Sequence, residues 1–442
     1  MTADEPQHVV AEPPAGPVRG VLGAGVATYI GVPYAAAPVG DLRFRAPQPA
    51  DAWTEPRDAT APGPAAPQGP SALAAVLGAD PGPQDEDCLT LNVYAPVAER
   101  PLPVLVWIHG GGFRTGRSGG PRQDAARLAR QGPMVVVTLN HRLGALGYLY
   151  LAGLADGFGE GNFGLLDQAA ALAWVGANVA AFGGDAQRIT VGGHSAGAVA
   201  AAALARVGPP GVRIRRLVLQ SAGLTDLATP EQATGFAREY LDALGIGTGE
   251  LHRLRDVPAQ AVVDAASRLP VPARSAPLLV VGGAGLPHAP LDPEGSPATL
   301  PDLLAGTTRD EARAFLPPGA EPAQVATLTR AFFDEPLDRL GALATGRGSA
   351  VHRYLFDWPA PEQGRFGAAH GIDVPFLFGE PPAWADAPAL DGVPAAEADA
   401  LRTGFGSALT RFVVAGHPAD GWSPWTPDVP AVHRFAAQVA VP

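Results

Sequence analysis

Ile189-Thr190-Val191-Gly192-Gly193-His194-Ser195-Ala196-Gly197, followed by Ala198-Val199-Ala200-Ala201-Ala202-Ala203-Leu204-Ala205, reads as strand, sharp turn and helix. The β-branched run favours the strand and the alanine-rich run the helix. Between them, G-x-S-x-G has the form of a nucleophile elbow, a strained turn that holds a serine hydroxyl clear of a sheet. Glycines flank Ser195 because neighbouring strand and helix approach too closely for a side chain at either position. The turn opens a helix, so the Ala196 backbone N–H and the helix dipole favour negative charge developing beside the serine.

Outward from this turn, β-prone and helical stretches alternate. Cys88–Tyr94 and Pro103–Ile108 read as strands, then Met134–Leu139, Leu217–Gln220, Leu303–Gly306 and Tyr354–Phe356. Helices are expected at Leu165–Phe182, Pro230–Leu244 and Ala395–Val414. The alternation predicts an α/β fold: a mostly parallel central sheet with helices on both faces, and ligands bound beyond the carboxyl ends of the strands. Val18–Leu22 and Ala27–Val32, cut by Gly and Pro, predict small N-terminal hairpins.

No Ser/Gly-only linker or long charge run divides the 442 residues, so a single domain over 1–442 is expected. Residues 1–17, acidic and Pro-containing, read as a disordered tail, and residues 48–84, rich in Pro, Ala and Gly, as a surface loop. A net charge of −12 without a basic patch argues against nucleic acid or an anionic membrane as partner. Cys88 is the only cysteine, which excludes an intrachain disulfide and a multi-cysteine zinc site. No basic-then-apolar leader begins the chain, and no apolar run long enough to cross a bilayer is free of Gly, Pro or charge. A cytoplasmic location is the expectation.

A serine nucleophile needs a base, a carboxylate to orient the base, and donors for an oxyanion. His109-Gly110-Gly111-Gly112-Phe113 follows a buried strand, and its glycines let backbone N–H groups approach a substrate oxygen. His370, in a small-residue loop late in the chain, fits the order Ser, acid, His; His352 and His417 are the alternatives on spacing. Glu311 and its neighbour Asp310, just after a strand, are the acid candidates, and either could instead be a charge at a helix N-terminus.

Together these residues resemble the type B carboxylesterases, the cholinesterase-like branch of the α/β-hydrolases. Gly31-Val32-Pro33-Tyr34, Glu86-Asp87-Cys88-Leu89-Thr90-Leu91-Asn92-Val93, Asn140-His141-Arg142-Leu143-Gly144, Gly161–Gln168, Gly306–Glu311 and the His370 loop through Gly379 are similar to that family's blocks, in its order. The resemblance implies an α/β-hydrolase fold and a serine carboxylesterase without metal or organic cofactor, acting on a small-molecule ester. Ser195 would be nucleophile, His370 base, Glu311 the orienting acid, and the amides of Gly111, Gly112 and Ala196 the oxyanion donors. Ser221 matches a position beside the acid, and Asp310 and His194 are further neighbours of the site. Arg43 with Glu86, and Arg142 with Asp167, match the family's paired charges. Phe113, Leu286 and Phe315 are expected to line the substrate pocket.

The sequence departs from the family at three places. His194 stands where a glutamate is usual, Leu73–Gln84 lacks the aromatic that cholinesterases carry there, and acid and base lie only 59 positions apart. These departures predict neutral rather than cationic esters and a more open cleft. Two other functions remain open on these residues: acyl hydrolysis of amides, carbamates or lactones, and a cholinesterase-like binding protein without catalysis. The intact Ser195, Glu311, His370 and glycine loop speak against the second.

Overall fold

The computed structural model describes residues 7–80, 82–155, 158–270, 278–295, 297–359 and 366–436. Twelve strands join in one sheet: β1 (Gln7–Ala11), β2 (Val18–Gly23), β3 (Val26–Pro33), β4 (Arg57–Asp58), β5 (Thr90–Pro96), β6 (Leu102–Ile108), β7 (Val135–Leu139), β8 (Gly184–His194), β9 (Ile214–Gln220), β10 (Asp302–Thr308), β11 (Val351–Phe356) and β12 (Val432–Phe435). Their order is β1-β2-β3-β5-β7-β6-β8-β9-β10-β11-β12, with β4 beside β2. Every pairing from β7 through β12 is parallel, while β1, β2, β3, β5 and β7 pair antiparallel. The expected parallel sheet and N-terminal hairpins are both present.

Alternation along the buried strands divides the core between two faces. Val104, Val106 and Ile108 of β6, with Val191 and Leu219, meet the helices Phe163–Asn178 and Ala196–Val207 on one face. Leu105, Trp107, Val136, Val218 and Tyr354 meet the helix Ala395–Ala415 on the other. The helix Pro230–Leu244 has its predicted bounds, with a Thr229/Gln232 capping box at its start and Gly245 in the left-handed region at its end. The helical run Phe163–Phe182 is long and apolar enough to cross a membrane by length and composition, but it packs inside the fold. Its Asp167 is paired there with Arg142 through contacts of 2.6 and 2.8 Å.

Two expectations need correction. The segment read as a disordered tail contains β1, which pairs with β2 from Gln7 to Ala11; residues 1–6 lie outside the described residues. Glu12, Pro13 and Pro14 follow this strand and Pro17 precedes β2, where they cost no ladder hydrogen bond. The stretch 48–84 is at the surface but carries its own order: β4, a helical turn at Ala74–Leu77, and bridges from Thr60 to Ile30 and from Ala65 to Gln84. Its prolines and glycines disguise these backbone contacts as low pattern.

The register places the chemistry. Gly193 of β8 lies opposite Ile108 of β6 and Leu219 of β9, and Gly306 of β10 lies opposite Gln220 and Tyr354. The carboxyl ends of β6, β8, β9 and β10 therefore share one edge, so the glycine loop, Ser195, Ser221 and Glu311 leave the sheet side by side.

Candidate active site

Ser195 has φ 55° and ψ −122°, a strained conformation for a non-glycine residue. Its N–H donates to the Gln220 carbonyl at 2.8 Å, which fastens the turn to the end of β9. The flanking glycines are required by contact: a Cβ on Gly193 would lie 2.4 Å from the Gly197 backbone, and one on Gly197 would lie 2.2 Å from the Ile108 carbonyl oxygen. Ser195 itself remains partly exposed at the head of the helix Ala196–Val207.

The glycine loop is set by a different constraint. Gly111 has φ 119°, and its carbonyl is held by the N–H groups of Arg114 and Thr115, each at 3.0 Å. With the carbonyl turned into the loop, no acceptor among the described residues takes the Gly111 or Gly112 amide. Gly112, at φ 62°, has open space on the side where a Cβ would point. His109 is half-buried, its ring stacked on the buried His141 at 4.8 Å, and desolvation lowers it to about 4, so it is neutral.

Glu311 and His370 meet across 2.5 Å, Oε2 to Nδ1, both buried. The other Glu311 oxygen accepts the Thr308 N–H at 2.8 Å. Burial opposes charge on both partners, raising Glu311 and lowering His370. Ser221, fully buried at φ 56° and tied by its N–H to the Gly306 carbonyl, lies against Glu311 and offsets part of that burial. Among the described residues, no hydrogen-bond partner reaches His370 Nε2. The His370 ring meets His194, with ring centres 4.7 Å apart, and also Phe315 at 5.0 Å and Phe333 at 5.2 Å.

Asp310 faces away from the imidazole and holds its loop. Its N–H donates to the Ala368 carbonyl and its carboxylate accepts the Ala368 N–H, both at 2.9 Å. Arg309 anchors that carboxylate at 2.9 Å. His194 is buried and uncharged, its pKa lowered by burial first and by His370 second. Arg142 grips Asp167 as expected, and Arg43 pairs with Glu86 while donating to the carbonyls of Leu254, Arg255 and Val257.

The pocket differs from expectation. A cavity of about 520 Å³ opens beside the glycine loop and His194, and its apolar wall comes from Leu73, Leu77, Trp107, Phe378 and Trp384. Leu286 is fully buried in the main core, because Gly285 and Gly283 fold it under the helix Phe163–Asn178. Phe113 is turned inward onto Tyr148, with ring centres 5.0 Å apart. Phe315 is exposed and stays close to His370 but does not line this cavity. The cavity wall was missed because Trp107 and Phe378 read as core residues and Leu73 and Leu77 lie in the low-pattern stretch. Asp373, three residues after His370, was also missed: it is fully buried, near Glu311, and raised by burial to about 7.

Known proteins share the sequence and the fold of this chain. The profile of the carboxylesterase family matches residues 6–324. The para-nitrobenzyl esterase of Bacillus subtilis is 34% identical over 480 residues, covering 98% of this chain and 94% of its own. The phenmedipham hydrolase of Pseudarthrobacter oxydans is 34% identical, covering 96% and 94%. A solved thermophilic PNB esterase superposes with a TM-score of 0.87 at 31% identity, over 98% of this chain and 96% of that one. With the α/β-hydrolase architecture, a serine on a strained turn and a histidine–carboxylate pair beside it, the chain belongs to the carboxylesterase family and is a carboxylic ester hydrolase.

Proposed function

We propose that Ser195, His370 and Glu311 hydrolyse neutral carboxylic esters through an acyl-enzyme. The observation that carries this reading is the Nδ1 contact of His370 with Glu311 at 2.5 Å, which leaves Nε2 unpartnered for the serine proton. Ser195 Oγ attacks the ester carbonyl as Nε2 takes its proton, and the oxyanion is received by the amides of Gly111, Gly112 and Ala196. The tetrahedral species collapses as Nε2 hands the proton to the departing alcohol oxygen. Water, deprotonated by the same nitrogen, then attacks the acyl-enzyme; the proton returns to Ser195 Oγ and the acid leaves.

Preference for an uncharged alcohol group follows from the cavity wall. Three aromatic rings line it, supplied by segments other than Leu73–Gln84, yet the Trp384 face is already covered by the Arg122 guanidinium at 5.0 Å. Asp80 is paired with Arg117, and His194 is neutral. A cation entering the cavity meets no carboxylate at the position of His194; Arg117 and Arg122 are paired with Asp80 and Asp386, and Asp264, at the far wall, accepts a hydrogen bond from Gln260. In about 0.15 M salt, which screens the chain's net negative charge beyond about 8 Å, kcat/KM for butyl acetate is expected to exceed that for acetylcholine. Acetylcholine turning over faster under those conditions would refute the neutral preference. Matched p-nitrophenyl ester and anilide substrates in the same assay separate ester from amide hydrolysis.

A further inference from the structure

The turn Glu311–Phe315 packs against a helical run, 322–345, that is not uniform. Two α-helical parts, Pro322–Thr329 and Glu335–Thr345, are joined by a π-helical turn at Arg330–Asp334. The cause lies in the sequence. Pro336 has no N–H to give the Phe332 carbonyl four residues back, and in a regular α-helix its ring would collide with that carbonyl. Widening the turn before the proline relieves the collision. It also changes which side chains share a face. In an α-helix Asp334 would point about 140° away from Thr329, whereas closure by i→i+5 bonds brings residues five apart nearly into line.

The face so formed reaches both Glu311 and His370. Thr329 Oγ1 accepts the N–H of Ala312, the residue after Glu311, at 3.1 Å. Asp334 Oδ1 accepts the Thr307 hydroxyl at 2.8 Å, one residue before Thr308, whose N–H donates to Glu311 at 2.8 Å. Phe333 is buried and meets the His370 ring, with centres 5.2 Å apart. Phe315 reaches the same ring from the Glu311 turn itself, so it moves with the acid, while Phe333 ties the base to a separate element. Burial opposes charge on Glu311 and on His370, so the resting pair attracts weakly and the surrounding chain must hold its geometry. We propose that the π-turn is a positioning clamp for this pair: Thr329 and Asp334 fix the backbone on both sides of Glu311, Phe333 restrains the His370 ring, and together they set the separation of acid and base. The proposal rests on the ester-hydrolase reading and adds positioning residues to it.

Steady-state kinetics on one p-nitrophenyl ester, with proton NMR of the same variants, tests the clamp. Thr329→Val keeps the side-chain shape and removes one acceptor, and Asp334→Ala removes the other. Each should lower kcat about tenfold and keep KM within about twofold, because a small displacement of a positioned group is felt in the transition state more than in substrate binding. Phe333→Leu, which keeps the site apolar, should cost a similar factor. Asp334 also lies near the charges of Arg353, Glu311 and Asp338, so Asp334→Asn separates its hydrogen bond from its charge. The amide oxygen still accepts the Thr307 hydroxyl, and this variant should restore most of the kcat lost in Asp334→Ala. The His370 Nδ1 proton, held against Glu311, should give a far-downfield resonance in the parent enzyme, weakened in Thr329→Val and Asp334→Ala and returned in Asp334→Asn. Unchanged kcat and resonance in the first two variants overturn the proposal, even if their thermal stability falls, and so does Asp334→Asn no better than Asp334→Ala. If Asp334→Ala does not fold, Thr329→Val and Phe333→Leu decide by the same readouts. A parent enzyme without ester turnover counts against the hydrolase reading, while an active parent with unmoved variants counts against the clamp alone.

Discussion

At Gly193 and Gly197 an added methyl group would meet backbone atoms at 2.4 and 2.2 Å, whereas at Gly69, on the cavity wall, nothing lies within 4 Å of one. The two regions face the same substrate but tolerate change differently. Around Ser195 the reaction demands a strained backbone, close packing and a histidine held by one carboxylate, so few residue types serve at each position. Around Gln68, Leu73 and Leu77 the demand is only for shape and apolar surface, which many residues supply. In the proposed mechanism the first region carries the chemistry and the second the choice of substrate, and substitutions should separate them.

The largest effect belongs to the pair beneath the base. Glu311→Gln should lower kcat by about 10⁴, since an amide neither fixes the His370 tautomer nor stabilises the imidazolium. Asp310→Asn, which weakens the holds on Ala368 and on the half-exposed Arg309, should cost no more than about tenfold, because a hydrogen bond is worth about 0.5–1.5 kcal/mol and an exposed ion pair about 0–1 kcal/mol. Steady-state kinetics on one p-nitrophenyl ester decides, and equal losses would place the acid elsewhere.

On the wall, Leu77→Ala should be mild and selective. Removing its side chain from the cavity is expected to lower kcat/KM for bulky alcohol groups about tenfold, within the 1–3 kcal/mol that one hydrophobic contact supplies to specificity, with methyl acetate changing less than twofold. A uniform fall across all esters would show that Leu77 supports the catalytic groups and that the contrast between the two regions is false.

The smallest effect is on pH dependence. A lowered His370 stays neutral to lower pH, so the acid limb of kcat/KM should fall below the ordinary histidine value of about 6.5. Replacing the nearby neutral ring by His194→Glu puts a carboxylate beside His370, favours the imidazolium, and should move that limb upward. A limb above 6.5 in the parent enzyme would mean that the Glu311 charge outweighs burial.

The same contrast explains what could be read from the chain. The strands of the parallel sheet, the Ser195 turn, the glycine loop and the His370 loop were legible because each imposes a residue type or a period: buried runs at β6 and β7, glycine at close approaches, a histidine late in a small-residue loop. The residue-level choice between Glu311 and Asp310 came from family resemblance; in the structure Asp310 turns its carboxylate to Ala368, a backbone contact that spacing does not reveal. Leu286 was misplaced because an apolar residue between Gly285 and Pro287 looks the same whether it faces a pocket or a core. The wall from Gln68 to Leu77 stayed hidden because its order rests on isolated bridges and on Gln68 gripping Gly116, 48 positions away. Long-range backbone contacts of that kind leave no periodic signal.

The central claim is that Ser195 carries the acyl group. Intact-protein and peptide mass spectrometry after treatment with a fluorophosphonate, followed step by step against ester hydrolysis, tests it most directly. The account predicts one adduct per chain, on the peptide containing Ser195, forming in proportion to lost activity and absent from a folded Ser195→Ala variant. An adduct on another residue, or full labelling of Ser195 with hydrolysis undiminished, would contradict it.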